Sequence, residues 1–112
     1  MREYLFDAAR QAPVSHDPGL TKRVLAEEPV SCIRRISHIT LNPGDTASEH
    51  AHPDDHELFY CIRGLLTVSV SGDAVTLKEG DVLVVDPGEP HSIVEVGAPT
   101  ELLYMRVAAG KP

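Results

Sequence analysis

Within the eight residues His50-Ala51-His52-Pro53-Asp54-Asp55-His56-Glu57, the chain sets three of its six histidines beside three carboxylates. On an extended segment side chains alternate between faces, so His50 and His52 project the same way, about 7 Å apart along the strand. One ion can take both. Glu57 lies five positions beyond His52, the wrong parity for an unbroken strand, but Pro53-Asp54-Asp55 is turn chemistry that would reverse the chain as a hairpin and bring Glu57 back opposite the histidines. Imidazole nitrogens with one carboxylate oxygen form a mixed set that suits one divalent transition metal (Fe, Mn, Ni, Co or Zn) and suits Ca poorly. The carboxylate also offsets charge that burial would leave unpaired. In the second half of the chain the only histidine is His91, which opens a strand just after a Pro87-Gly88 turn and is the expected fourth ligand.

The elements that must position these residues read as β. Short alternating or apolar runs occur at residues 22–26, 31–41, 57–63, 65–71, 74–78, 81–86, 91–96 and 101–107, punctuated by Pro43-Gly44, Pro53-Asp54, Gly72-Asp73, Glu79-Gly80, Pro87-Gly88 and Gly97 to Pro99. That punctuation indicates a β-sandwich or barrel. Before it, residues 2–12 carry Tyr4, Leu5, Ala8, Ala9 and Ala12 at helical spacing up to Pro13, too short to hold without packing. The expected division is an N-terminal arm or short helix over 1–13, a barrel over 14–107 and a fraying tail over 108–112.

With 112 residues the chain is the size of one domain. A formal net charge of −7 without any basic cluster argues against nucleic acid or an anionic lipid surface as partner. No apolar run approaches the roughly 20 residues needed to span a bilayer, and the first residues are too polar for a secretory signal. A cytoplasmic location follows as the expectation, with Cys32 and Cys61 read as free, packed thiols.

The chemistry-bearing residues also resemble a family. Gly44, His50, His52, Glu57 and Gly64 fit the first cupin signature, G-x5-H-x-H-x4-E-x6-G, at every fixed position. Gly80, Gly88 and His91 fit the second, G-x5-P-x-G-x2-H-x3-N, with Asp86 standing for its proline and Glu95 for its asparagine. The match covers about half the chain, from Thr40 to Glu95, and its many spaced positions make it far more specific than an isolated His-x-His. Resemblance to cupins implies an all-β, RmlC-like jelly-roll barrel of antiparallel strands, with His50, His52, Glu57 and His91 converging on one divalent metal. It further implies outer strands that pair subunits into a homodimer.

Cupins include dioxygenases, isomerases, lyases, sugar-binding proteins and storage proteins, so the resemblance leaves two classes open. One is a metal-dependent enzyme, a dioxygenase-type oxidoreductase or an isomerase, acting on a small oxygen-bearing organic molecule. The other is a non-catalytic protein that binds or senses a small ligand or metal. For the enzyme, Glu95 is the expected cavity acid or base because it shares strand parity with His91, and His56 is a second proton-shuttle candidate. Tyr104 and Arg106 share a face of the last strand and could meet an anionic substrate. Cys61 has the parity of Glu57 and Phe59 and is expected near the cavity, as is Val84. His38 is expected to face away from the core, and His16 gives no site signal.

Overall fold

The computed structural model describes residues 1–110. Eight strands make one antiparallel sheet that closes on itself as a jelly-roll barrel: β1 (Arg10–Val14), β2 (Asp17–Ala26), β3 (Ile33–Leu41), β4 (Ala47–His50), β5 (Asp55–Val70), β6 (Asp73–Lys78), β7 (Val82–Val85) and β8 (His91–Ala108). The hydrogen-bonded order is β1-β2-β3-β8-β5-β6, with β4 added to β8 and β7 to β5.

Two strands are longer than the sequence punctuation implies. The runs at 57–63 and 65–71 are one 16-residue strand, and those at 91–96 and 101–107 are one 18-residue strand. The glycines expected to end them instead bend them. Gly64 takes φ +113°, and a Cβ there would come within 2.5 Å of the Thr100 backbone and 2.7 Å of the Pro99 carbonyl. The register between β5 and β8 shifts on both sides of Arg63, opposite Ala98 to Glu101. Facing bulges of this kind curl a sheet into a barrel, and each reverses which face a side chain takes. In β5 the buried positions are accordingly Asp55, Glu57, Phe59 and Cys61 before Gly64, but Leu66 and Val68 after it.

Those inward positions form the core, in which Leu41, Cys61, Leu66, Val68 and Leu102 are at most 1% exposed and Phe59 packs beside them. Burying each aliphatic side chain there contributes about 2 kcal/mol. Val84 is exposed and is not the cavity neighbour the sequence implied; Cys61 is packed in the core as read and does not line the cavity, whereas Cys32 is exposed rather than packed.

The N-terminal segment differs most from expectation. Helix is confined to a 3-10 turn at Phe6–Ala8, and Arg10–Val14 is strand β1, paired with β2 through Arg10 to Val24 and Ala12 to Lys22. A segment this short gains more from a ready sheet edge than from helical hydrogen bonds, and Pro13, which has no N–H to give, is tolerated on an edge strand. The arm then folds over the outside of β3. Phe6 sets its ring at 88° to His38 with centroids 4.9 Å apart, and the Arg23 guanidinium lies 4.5 Å over the same ring. His38 does point away from the barrel interior, yet this cover leaves it only 7% exposed, with Nε2 3.3 Å from Glu101.

At the other end, Ala108 N–H donates to Cys32 O at 2.7 Å and Ala109 N–H to Asp54 O at 2.9 Å, so the chain is held two residues into the segment expected to fray. Lys111 and Pro112 lie outside the described residues.

Candidate metal centre

β4 delivers His50, the connection after it His52, β5 Glu57 and β8 His91. The strand register sets His50 directly across from His91. One ligand atom from each of the four residues lies within 4.8 Å of every other, and Glu57 and His91 are buried while His50 and His52 are half-buried. The expected hairpin between His52 and Glu57 is absent: β4 and β5 both pair with β8 and not with each other. Residues 51–54 instead cross one end of the barrel, where His52 O accepts the Gly88 N–H at 2.8 Å. Glu57 reaches the histidines because inward-facing residues of a small barrel converge on its axis.

The donor set fits a metal ion. His50 Nδ1 and His91 Nδ1 lie 3.0 Å from the carbonyls of Ser48 and Glu89, contacts that place the ring proton on Nδ1 and turn the Nε2 lone pair inward. Glu57 Oε2 stands 2.7 Å from His52 Nε2 and 3.5 Å from His91 Nε2. Buried as they are, Glu57 Oε2 and His91 Nε2 form no well-aligned hydrogen bond among the described residues. Acceptors aimed at a common point rather than at donors are what ligation requires, and ligand atoms about 2.0–2.2 Å from one ion would close to a similar spread after slight contraction.

Local electrostatics favour the ligating form of Glu57 and His52. Burial would raise the Glu57 pKa, but the close approach and charge of His91, with the His52 and His50 charges, outweigh it and hold the carboxyl below its usual range. Burial also lowers His52, against the pull of Glu57, which favours the neutral imidazole a metal needs. Burial would lower His91, but its approach to Glu57 and its contact with the Glu89 carbonyl outweigh it and shift His91 up, so ligation there must displace a proton.

A cavity of about 250 Å³ opens beside the cluster. Phe59, Val68, Ile93 and Leu102 give it apolar walls, and Tyr104 and Arg106 line it as their shared strand face implies. Burial, reinforced by the negative charge of Glu57, pushes the Tyr104 hydroxyl up to about 12, so it remains a donor at neutral pH.

Two residues expected to carry protons lie elsewhere. Glu95 is exposed and does not line the cavity. Between β8 and β5, Ile93 pairs with Val68 while Glu95 pairs with Thr67, so β8 advances two residues for one on β5. That bulge at Val94 reverses the parity on which Glu95 was placed inside. His56 also stays outside the cavity, with Nδ1 3.1 Å from Asp86 Oδ1, because it alternates against Glu57.

Sequence reasoning in turn missed His16, Asp17, Lys22 and Arg35, all on the cavity wall. His16 sits in the β1–β2 turn with its ring 5.4 Å from that of His50, and Asp17 fastens this turn to β4 by accepting from Ser48 N at 3.0 Å and Ser48 Oγ at 2.7 Å. The signal was present in Ser15-His16-Asp17-Pro18, good turn chemistry, but with residues 2–12 read as helix it joined no hairpin.

Comparison with known proteins agrees with this geometry. Over 87 residues the chain is 34% identical to the tetracenomycin polyketide synthase protein TcmJ of Streptomyces glaucescens, covering 77% of this chain and 58% of that protein. Over 74 residues it is 34% identical to an oxalate-binding protein of Thermotoga maritima, covering 66% of this chain and 60% of that one. The chain thus spans less than two thirds of the length of either relative. A crystal structure of a predicted oxalate decarboxylase from Thermotoga maritima superposes with a TM-score of 0.82 over 96% of this chain and all of that one, at 23% identity, a likeness of fold. The profile of the cupin domain matches residues 37–106, which contain all four clustered ligands and most of the barrel, and the chain belongs to the cupin domain family.

Proposed function

We propose that this cupin is a metal-dependent enzyme, a dioxygenase-type oxidoreductase first and an isomerase second, acting on a small oxygen-bearing organic molecule. The observation that carries this reading is the juxtaposition of the four-residue cluster with a cavity lined by Phe59, Val68, Ile93 and Leu102. Four protein ligands leave an octahedral ion two positions for exchange, the mark of a working site rather than a closed structural one. A metal bound there supplies Lewis-acid polarisation or redox chemistry. The chain's own residues do the rest. His50, His52, Glu57 and His91 hold the ion, the apolar walls exclude water from the substrate, and Tyr104 donates a hydrogen bond to a substrate oxygen. A cavity of about 250 Å³ favours a small ligand.

A second reading, a non-catalytic ligand-binding cupin, is favoured by the 34% identity to the protein named for binding oxalate. Anaerobic reconstitution with Fe(II), followed by an oxygen-electrode screen of catechols, diketones, thiols and hydroxy acids, separates the two. Oxygen uptake or isomerisation with any of these supports the enzyme; tight binding of a ligand recovered unchanged supports the binder.

Two properties of the assembled protein belong to the same proposal. A homodimer is supported by the outer face of β5 and β7, where Tyr60, Val82 and Val84 are 42%, 59% and 48% exposed. A cytoplasmic setting is supported by the unpaired thiols of Cys32 and Cys61, and no described helix is long and apolar enough to cross a membrane.

A further inference from the structure

Lys22 lies on β2 with Leu20 before it and buried Val24 after it on the same face, and its partners across the sheet are Ala12 and Ile39. It is 8% exposed and lines the cavity, yet it forms no ion pair or hydrogen bond among the described residues. Among the described residues the fully buried side-chain atoms without a partner are Glu57 Oε2 and His91 Nε2, so the Lys22 ammonium still reaches the cavity space, where no protein counter-charge meets it, at a cost that an apolar side chain would avoid.

The neighbours add to that cost. Arg35, half-buried on the same wall, also forms no ion pair among the described residues, and it stands directly across from Arg106 in the β3–β8 register. Like charges directly opposite destabilise a sheet. Every carboxylate near the cavity is engaged elsewhere: Asp55 with Arg34 and Arg106, Asp17 with Ser48, Glu57 with the histidines. Burial and then the Arg35, Arg10 and Arg106 charges push the Lys22 pKa down, with only Glu57 opposing.

We propose that Lys22 and Arg35 form an anion subsite across the cavity from the metal centre, so that the ligand is a small acid with oxygen donors at one end and a carboxylate at the other. The proposal rests on the metal-centre reading above and adds the ligand class. Glu57, Arg106 and Arg35 stand in one row across β5, β8 and β3. Two inter-strand spacings put Glu57 and Arg35 about 10 Å apart along the sheet, a span that two converging side chains and a short diacid fill. Ile39, Phe59 and Leu102 supply the apolar wall of the cavity.

The test is calorimetric titration of the Mn(II)-reconstituted protein with matched pairs that differ only in the far end: malate against 2-hydroxybutanoate, and 2-hydroxyglutarate against 2-hydroxypentanoate. At least one diacid should bind about tenfold or more tighter than its monoacid. Lys22→Met and Arg35→Met should each remove that preference while leaving monoacid affinity and metal content unchanged. Lys22→Met should also raise the melting temperature of the ligand-free protein, which a purely structural lysine would not do. Equal affinity within both pairs, or a preference that survives Lys22→Met, overturns the subsite. Tighter binding of 3-phosphoglycerate than of either diacid, lost in Lys22→Met, overturns the carboxylate assignment. If the protein retains no Mn(II) yet shows a Lys22-dependent preference for diacids, the metal reading fails and the anion subsite stands.

Discussion

Arg106 stands directly opposite Glu57 in the pairing of β8 with β5, yet its guanidinium turns to Asp55, donating from Nε at 3.0 Å and from Nη2 at 2.6 Å. Arg34 Nε donates to the other oxygen of Asp55 at 2.6 Å. Asp55 therefore occupies the cation that would otherwise pair with Glu57, and the Glu57 carboxylate stays turned to His52 and His91.

Asp55 is 3% exposed between two guanidinium groups that are themselves about half exposed, so Asp55→Asn should destabilise the fold by about 2 kcal/mol at pH 7. Burial would raise the Asp55 pKa, but the hydrogen bonds from Arg34 and Arg106 outweigh it and set the folded value below the ordinary one. A depressed carboxyl stabilises fully above its unfolded pKa, near pH 4, and its contribution fades as pH falls through the lower folded value. Urea unfolding from pH 7 to pH 2 should show the gap between wild type and Asp55→Asn closing with acid. A gap of constant size would contradict this.

Freed by Asp55→Asn, Arg106 can reach its cross-strand neighbour Glu57 and compete for that carboxylate. Metal affinity should drop by roughly tenfold, within the 10- to 100-fold range typical of changes to residues that orient ligands. Competition with a chromophoric chelator measures it, and an unchanged affinity would mean that Asp55 serves stability alone.

Gly64→Ala should be severely destabilising, by about 3 kcal/mol, because the new methyl would overlap the Thr100 backbone and the position requires a positive φ. Gly72→Ala is the control, since φ is +86° there as well but the Cβ meets open space. Its cost should be smaller, by thermal unfolding. Equal costs would show that backbone conformation, and not the close approach of β8, makes Gly64 necessary.

On the outer face, Tyr60→Lys with Val84→Lys places two charges where β5 and β7 expose apolar surface. Sedimentation should show a dimer for wild type and a monomer for the double variant. A wild-type monomer at high micromolar concentration contradicts the pairing.

The four clustered residues were legible in the sequence because ligand chemistry and motif spacing restrict residue type at fixed distances, whatever bends the strands make. Glu95 was not, since its placement depended on parity, and one bulge at Val94 reverses parity without a composition signal as clear as a glycine turn. Gly64 and Gly97 misled in the opposite way: their conformational freedom reads as strand termination, whereas here it bends two long strands in step. Lys22 escaped notice because a basic residue on an alternating strand reads as solvated, and only the added strand β1 shows which face is covered.

The most direct test of the metal centre is elemental analysis of the protein purified without added metal, with His50→Ala prepared alongside and His56→Ala as control. Wild type and His56→Ala should each carry close to one divalent transition metal per chain, and His50→Ala should show a severe loss. Wild type without metal, or His50→Ala retaining a full equivalent, would contradict it.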